Sequence, residues 1–489
     1  MTDTPRYVNT TIATGALRGL DDDGLVRFLG VPYGEPPVGE LRFASPVACA
    51  PWAGVFDATA FGPKPPQPEM AAPIGAPQID CPIGEDCLRL NVYSPSLDGE
   101  RPVMVWFHGG GLAFGSANEY DGSNLARRQD VVVVSVEFRL GLLGFADLSP
   151  CGPEHAGSAS NGFRDQMLAL RWVRANIGAF GGDARNVTVF GQSGGGVSIL
   201  ALLGSPDAAG LFDRAIVLSA GPPQPAPPEV VSILGGTLDV EPEQLPDALR
   251  ALSAERMIEI QQGIGFTAGG AVDGTVVTRF PVDAIRAAGA AGVPILIGST
   301  RDEGTLLTSM MGGMRPQVLR ILAAGLAEGT FEGGDPSAYL ERLDVAVAGD
   351  DLAFHTEVWT DHFRRTAVRV AAAACEAGSG GWLFRFDLLP TGPLAGELGV
   401  THAADLGFVF DTLEHSDGSL YDPMDDDARR TAAMWSRVLA SFARDGHPGG
   451  ALPDWQPYLP GGTSLLVDAE SRIVRRLDAA RQVIWGDPG

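Results

Sequence analysis

The sequence predicts an α/β fold with a mostly parallel, doubly wound central sheet and helices on both of its faces. One observation is a series of short apolar runs followed by turn signals, several of them apolar throughout, as in strands covered on both faces. These runs lie at 103–107, 131–136, 187–190, 215–218, 294–297 and 382–386. The other observation is that helical patterns separate the runs, which is typical of parallel sheets that bind ligands beyond the carboxyl ends of their strands.

The clearest helical pattern lies between Asn161 and Gly178. Its apolar residues recur at spacings of four, three, three and four, so they form one stripe that faces a core. The stripe consists of Phe163, Met167, Leu170, Val173 and Ile177. The sequence predicts that Asn161 caps the start of this helix and that Gly178 ends it.

The chain is predicted to form a single catalytic domain over residues 1–489. It has no repeat period and no long linker, and its proline-rich stretches are typical of surface loops. The segment from about 305 to 372 carries helical patterns without clear strands. We therefore expect a helical insertion there that covers the site.

Composition limits the partners and the compartment. Thirty-five Lys and Arg against 60 Asp and Glu give a net charge of −25, which repels phosphate backbones and anionic lipid, so we expect no nucleic-acid and no membrane partner. The N-terminus lacks a basic region followed by an apolar stretch, and no apolar run approaches the length of a membrane span. Five scattered cysteines do not form a disulfide framework, which predicts a cytoplasmic location.

A GxSxG motif at 191–195 places Ser193 between an apolar strand pattern and a helical pattern. A sharp strand-to-helix turn needs small residues beside the serine, and Gly191 and Gly195 provide them. The positive end of the following helix favours developing negative charge. Ser193 is therefore the candidate nucleophile.

A second glycine-rich motif, HGGG at 108–111, follows the strand pattern 103–107. Acyl transfer builds negative charge on a carbonyl oxygen, and closely spaced backbone N–H groups can bind it where a Cβ would obstruct approach. The candidate donors are the N–H groups of Gly110, Gly111 and Gly194. They form a predicted oxyanion hole.

A serine nucleophile needs a base, and the base needs a third group that holds its tautomer. The chain order Ser, acid, His places the base late, where His402, His415 and His447 are available. His402 follows the strand pattern 382–386, whereas the other two lie in polar, turn-like surroundings. For the acid, Asp302 and Glu303 both follow the strand pattern 294–298 and remain equal alternatives.

Motifs along nearly the whole chain resemble those of the type-B carboxylesterase family of α/β-hydrolases, which includes bacterial p-nitrobenzyl esterases. The matching segments are FLGVPY at 28–33, EDCLRLNV at 85–92, HGGG at 108–111, DQ at 165–166, FGGD at 180–183, GQSGG at 191–195, GLF at 210–212, VDG at 272–274, DEG at 302–304, HAADL at 402–406 and FAR at 442–444. Together these motifs are highly specific.

The resemblance implies an α/β-hydrolase fold with helical insertions covering the site. It also implies Ser193 as nucleophile, Glu303 rather than Asp302 as acid and His402 as base, with Gly110, Gly111 and Gly194 as the oxyanion hole. Two internal salt bridges without a catalytic role are implied as well, Arg42 with Glu85 and Arg139 with Asp165. No metal and no cofactor is required.

Two departures from the family bear on function. The family's cysteine near Pro65 is missing, so Cys87 lacks the disulfide partner that the resemblance would give it. The segment 67–80 contains no tryptophan where cholinesterases carry their choline-binding indole. The resemblance therefore implies a cytoplasmic, bacterial-type member that does not specialise in choline esters.

The predicted function is that of a serine carboxylesterase, which cleaves short- to medium-chain or aryl esters through an acyl-enzyme. Its partner would be a small-molecule ester, and the chain would act as a monomer or homodimer. Two alternatives remain, because a fold does not fix function. One is a non-catalytic binding protein on the same fold, and the other is a lipase of the same family.

Overall fold

The computed structural model describes residues 6–69, 79, 81–224, 229–266, 268, 272–311, 313–331, 334–459 and 462–486. Most of the segment 67–80, in which a choline-binding tryptophan is missing, therefore lies outside the described residues. The chain divides into two compact units, one in the ranges 1–72, 78–214 and 223–280, the other in the ranges 73–77, 215–222 and 281–489. That the chain acts as one catalytic domain stays a prediction.

The described part of the first unit contains β1 to β8 and α1 to α7. The strands are β1 (Arg6–Ile12), β2 (Gly15–Asp21), β3 (Val26–Pro32), β4 (Val55–Asp57), β5 (Arg89–Ser94), β6 (Arg101–Phe107), β7 (Val132–Val136) and β8 (Gly182–Gln192). The helices are α1 (Ser123–Gln129), α2 (Gly141–Phe145), α3 (Asn161–Asn176), α4 (Gly194–Leu203), α5 (Val230–Leu238), α6 (Leu245–Arg250) and α7 (Ala254–Gly263).

The strands of the first unit follow the order β1-β2-β3-β5-β7-β6-β8, and β4 pairs with β2. Neighbouring strands in the series β1-β2-β3-β5-β7 are antiparallel. Strand β6 pairs in parallel with both β7 and β8. Phe107 at the end of β6 lies opposite Gly191 of β8. This register brings the loop after β6 and the turn after β8 to the same edge of the sheet.

Helix α3 confirms the predicted helical stripe but not its predicted ends. Phe163, Met167, Leu170 and Val173 are all buried. Ser160 occupies the N-cap position, and the Asn161 side chain instead donates to the carbonyl of Phe43 at 2.7 Å. A 3-10 turn carries the chain past Gly178 and ends at Gly181, where φ is +75°. Both capping predictions were therefore wrong by a few residues, because a tertiary contact and a terminal 3-10 turn replaced the local cap.

The described part of the second unit contains β9 to β13 and α8 to α16. The strands are β9 (Arg214–Leu218), β10 (Ile295–Thr300), β11 (Gly381–Phe386), β12 (Thr463–Val467) and β13 (Arg472–Arg475). The helices are α8 (Pro281–Ala288), α9 (Gly304–Ser309), α10 (Pro316–Thr330), α11 (Pro336–Ala346), α12 (Asp351–Ala377), α13 (Ala395–Leu398), α14 (Leu406–Val409), α15 (Asp426–Asp445) and α16 (Ala479–Trp485).

In the second unit β9, β10, β11 and β12 form a parallel series, and β13 pairs with β12 in the antiparallel direction. Every residue of β10 is buried, as expected for a strand covered on both faces. Asp302 lies just beyond β10. Its backbone N–H donates a hydrogen bond to the carbonyl oxygen of Val400 at 2.9 Å. The carboxyl end of β10 thus lies beside the segment that carries His402.

All six strand predictions are confirmed, as β6, β7, β8, β9, β10 and β11. The flanking strands β1 to β5, β12 and β13 were missed, because several of them are partly exposed and carry no continuous apolar run. In the described residues of the segment 305–372, the structure has helices α9 to α12 and no strand. That these helices cover the site stays a prediction.

Candidate active site

Ser193 lies in the sharp turn that joins β8 to α4. Its backbone has φ +53° and ψ −122°, a combination that non-glycine residues rarely adopt. A Cβ on Gly195 would lie 1.9 Å from the carbonyl oxygen of Phe107, and one on Gly191 would lie 2.7 Å from the carbonyl carbon of Gly195. Both glycines are therefore required by close backbone packing, as the GxSxG motif predicts.

The loop after β6, residues 108–116, is called the HGGG loop below. Gly110 has φ +107°, and a Cβ there would lie 2.0 Å from the carbonyl oxygen of Phe114. A Cβ on Gly194 would lie 3.0 Å from the backbone nitrogen of Gly111 and 2.9 Å from that of Leu112. The first unit therefore brings the HGGG loop against the residue that follows Ser193. The N–H of Leu112, which the motif did not single out, lies at the same place.

His402 and Glu303 meet in the second unit. Nδ1 of His402 lies 2.5 Å from Oε2 of Glu303, and both side chains are buried. The other carboxylate oxygen of Glu303 accepts a hydrogen bond from the backbone N–H of Thr300 at 2.7 Å. A carboxylate at Nδ1 favours the tautomer with its proton on Nδ1, so that Nε2 carries the lone pair that a general base needs.

The rival candidates lie elsewhere. Asp302 forms an ion pair with Arg301 at 2.8 Å and accepts from the backbone N–H of Val400 at 2.9 Å. His415 and His447 are both exposed. The structure thus pairs Glu303, and not Asp302, with a histidine, and of the three late histidines it pairs His402 with a buried carboxylate.

Three further residues surround His402 without having been predicted to do so. The ring of Phe363 stacks on that of His402 with centroids 4.7 Å apart. Burial, with a smaller electrostatic contribution from the neighbouring His402, lowers the pKa of His362 to about 3. Burial, assisted by the charge of Glu303, raises the pKa of Asp405 to about 7. Asp405 belongs to the HAADL motif, whereas helix α12 brings the other two from a distant segment that carries no motif.

Both internal salt bridges implied by the family resemblance are present in the first unit. Nε of Arg42 lies 2.8 Å from Oε2 of Glu85. Arg139 donates to both carboxylate oxygens of Asp165, from Nε at 2.8 Å and from Nη2 at 2.7 Å. The second pair is fully enclosed, because the two side chains are 3% and 0% exposed.

The described residues contain neither a candidate metal site nor a candidate membrane span. In this part of the chain no three His, Cys, Asp or Glu side chains cluster in a way that could hold a metal ion. None of the described helices combines the length and the apolar character that crossing a membrane requires.

Comparison with known proteins decides the family. The model of the carboxylesterase family matches residues 5–328 of the chain. The chain belongs to the carboxylesterase family. This carboxylesterase is 35% identical to the para-nitrobenzyl esterase of Bacillus subtilis, over 95% of each chain. It is also 35% identical to the phenmedipham hydrolase of Pseudarthrobacter oxydans, over 96% of each chain.

Solved structures confirm the fold of this carboxylesterase. A structure of PNB esterase superimposes with a TM-score of 0.86 and 32% identity, over 98% of this chain and 99% of the other. A thermophilic PNB esterase superimposes with a TM-score of 0.87 and 31% identity, over 98% of this chain and all of the other. The predicted α/β-hydrolase fold is therefore confirmed, and the carboxylesterase is a carboxylic ester hydrolase.

Proposed function

We propose that this carboxylesterase cleaves esters with Ser193 as nucleophile, His402 as general base and Glu303 as the acid that orients the base. In this proposal the N–H groups of Gly110, Gly111 and Gly194 form the oxyanion hole. The observation that carries it is the contact of 2.5 Å between Nδ1 of His402 and Oε2 of Glu303. A buried carboxylate that holds an imidazole in this way prepares Nε2 to accept the proton of a hydroxyl.

The proposed reaction has two halves. His402 takes the proton of Ser193 as its oxygen attacks the ester carbonyl, and the backbone N–H groups stabilise the negative charge on the carbonyl oxygen. His402 then gives the proton to the departing alcohol, which leaves an acyl-enzyme on Ser193. Water, activated by the same imidazole, hydrolyses the acyl-enzyme and regenerates the serine. Glu303 stabilises the imidazolium that forms transiently in each half of the reaction.

The proposed substrates are short- to medium-chain or aryl esters of small molecules. Relatives that support this choice are named para-nitrobenzyl esterase and cocaine esterase, and both align with more than nine-tenths of this chain. We further propose that residues 1–489 act as one catalytic domain, with the helices in 305–372 covering the site. The enzyme would need no cofactor or metal, bind neither nucleic acid nor membrane, and act in the cytoplasm as a monomer or homodimer.

Release of p-nitrophenol from acetate, butyrate and palmitate esters tests this proposal, with Ser193→Ala as the comparison. We expect hydrolysis of the two shorter esters by the wild type and none above background by the variant, while both proteins melt at the same temperature. Preferred turnover of emulsified palmitate would instead indicate a lipase. No turnover of any ester, together with no labelling by a fluorophosphonate probe, would favour a binding protein on this fold.

A further inference from the structure

Glu137 is a buried carboxyl group at the end of β7 that the proposed mechanism does not use. Its side chain is only 1% exposed. Ser116, the last residue of the HGGG loop, donates its hydroxyl hydrogen to Oε1 of Glu137. Oγ of Ser116 in turn accepts a hydrogen bond from the backbone N–H of Asn118 at 3.1 Å. Glu137 therefore holds the carboxyl-terminal end of the HGGG loop.

His108, the first residue of the HGGG loop, faces the same carboxyl group. Nε2 of His108 lies 3.7 Å from Oε2 of Glu137. These two atoms face each other, and neither has a hydrogen-bond partner within the described part of the chain. The ring of His108 stacks on the ring of Phe138, with centroids 4.6 Å apart. The carboxyl group of Glu137, just beyond β7, thus faces both ends of the loop.

The hydrogen bond of Nδ1 fixes the tautomer of a neutral His108. Nδ1 of His108 lies 2.8 Å from the carbonyl oxygen of Gly109, and because a carbonyl only accepts, Nδ1 carries the hydrogen. The neutral imidazole then presents a lone pair at Nε2. The lone pairs of an ionised Glu137 would repel the lone pair on Nε2. A protonated Oε2 instead directs its hydrogen towards Nε2.

Burial favours the same state. It raises the pKa of Glu137 to about 8, and it lowers the pKa of His108 to about 4. Between these values a neutral carboxylic acid faces a neutral imidazole, and the carboxylic acid holds the proton. Glu137 also interacts with the backbone N–H groups of Ala117 and Asn118 through hydrogen bonds. Its electrostatic partners are the carboxylate of Glu119 and the side chains of Tyr33, Cys81, Cys87 and Tyr120.

We propose that Glu137 is a positioning residue for the oxyanion hole, which it orders by holding His108 and Ser116 through a protonated carboxyl group. This inference rests on the proposed function, because it assumes that Gly110 and Gly111 bind the oxyanion. Gly115 shows how closely the loop follows the His108 ring, since a Cβ there would lie 2.8 Å from Nδ1. Loss of the proton from Glu137 therefore displaces the N–H groups between His108 and Ser116.

The test is the pH dependence of kcat for p-nitrophenyl acetate in the wild type and in Glu137→Gln, with the Ser193→Ala background subtracted. Glutamine keeps the shape and the neutral charge at every pH. We expect the wild-type kcat to fall at least about tenfold with a midpoint near pH 8, and the fall to be absent in Glu137→Gln. KM should change by less than about twofold, because the oxyanion forms only after binding.

Two more variants sharpen the result. Glu137→Ala removes both contacts, so we expect kcat at neutral pH to fall at least about tenfold without a matching change in KM. Glu119→Gln is the control, because it removes a neighbouring carboxylate but leaves Glu137 in place. It should retain the alkaline fall of kcat and shift it to lower pH, since the charge of Glu119 raises the pKa of Glu137.

An alkaline fall that is identical in the wild type and Glu137→Gln would overturn the inference. Absence of esterase activity from the wild type would instead overturn the proposed function, and thermal melting separates the two cases. The folded state keeps the Glu137 proton up to about pH 8, whereas the ordinary value of a glutamate is 4.5. Wild-type stability should therefore fall as the pH rises between these values. The fall should be smaller in Glu137→Gln, which keeps only the contribution of other groups such as Asp405, whether or not the enzyme is active.

Discussion

Glu303 and His402 are 99 residues apart in the sequence, yet Oε2 of the carboxylate lies 2.5 Å from Nδ1 of the imidazole. Asp302, the immediate neighbour of Glu303, instead pairs with the partly exposed Arg301. Successive side chains at the end of a strand point in different directions, so two adjacent carboxylates reach different partners. This difference gives a sharp test of which carboxylate supports catalysis.

Replacing Glu303 by Gln should lower kcat/KM about 10⁴-fold, because an amide nitrogen facing Nδ1 selects the wrong imidazole tautomer. Asp302→Asn is the matched control. It keeps an oxygen that can accept from Val400 N–H, so we expect its kcat/KM to stay within about threefold of the wild type. The measurement is steady-state hydrolysis of p-nitrophenyl butyrate. Equal losses in the two variants would contradict the assignment of Glu303.

Replacing Gly194 by Ala should obstruct the oxyanion hole. The new Cβ would lie 2.9 Å from the backbone nitrogen of Leu112 and 3.0 Å from that of Gly111. We expect kcat to fall about 10²- to 10³-fold, which corresponds to the loss of one oxyanion donor. Gly236→Ala is the control, because Gly236, like Gly194, lies in a helix without a positive φ, and its Cβ would meet nothing within 4 Å. Equal losses of activity in the two variants would show that obstruction at Gly194 is not the cause.

Replacing Asp165 by Asn should destabilise the fold strongly. The change leaves the guanidinium of Arg139 buried without its charge partner, and breaking such a pair costs about 3–5 kcal/mol in the free energy of unfolding. Glu259→Gln is the control, because the side chains of Glu259 and Arg256 are 63% and 55% exposed. Its cost should be below about 1 kcal/mol. Urea unfolding measures both, and similar costs would show that the buried pair has no special role.

Asp405 should make the stability of the protein fall as the pH rises. Its pKa is raised from 3.8 to about 7, so between these values the folded state keeps a proton that the unfolded state releases. The stabilisation is complete below pH 3.8 and is lost as the pH passes about 7. At about 1.4 kcal/mol for each pKa unit, the loss amounts to about 4 kcal/mol.

Asp405→Asn should remove this contribution, because an amide does not titrate, and leave the contribution of Glu137. Melting temperatures of the wild type and the variant between about pH 4 and pH 8 provide the measurement. A slope that is as steep in the variant as in the wild type would show that Asp405 is not the group responsible.

Much of the fold followed from local patterns. Strands such as β6 and β10 are buried on both faces, so their residues are apolar throughout and the strands can be found without a structure. Strand β1 alternates between exposed and partly buried positions, and its pattern did not reveal it. The ends of α3 were misplaced because Asn161 bonds to Phe43, a partner that lies 118 residues away.

Within the site, local sequence motifs predicted the parts that depend on backbone geometry. Ser193 and the glycines around it form a local turn, and only glycine can occupy positions where a Cβ would strike the backbone of Phe107 or Phe114. The family resemblance added the choice of Glu303 over Asp302. Local residue patterns could not make that choice, because both carboxylates follow the same strand.

The side chains that meet across long stretches of chain became known from the three-dimensional structure. It placed Glu303 at His402, Phe363 against the same imidazole, and Glu137 opposite His108. These contacts depend on the pairing of strands and on the direction of each side chain, which a one-residue shift in register would reverse. The physical reason is that long-range packing and burial, which no local pattern encodes, set both the partners and the charge state of each buried group.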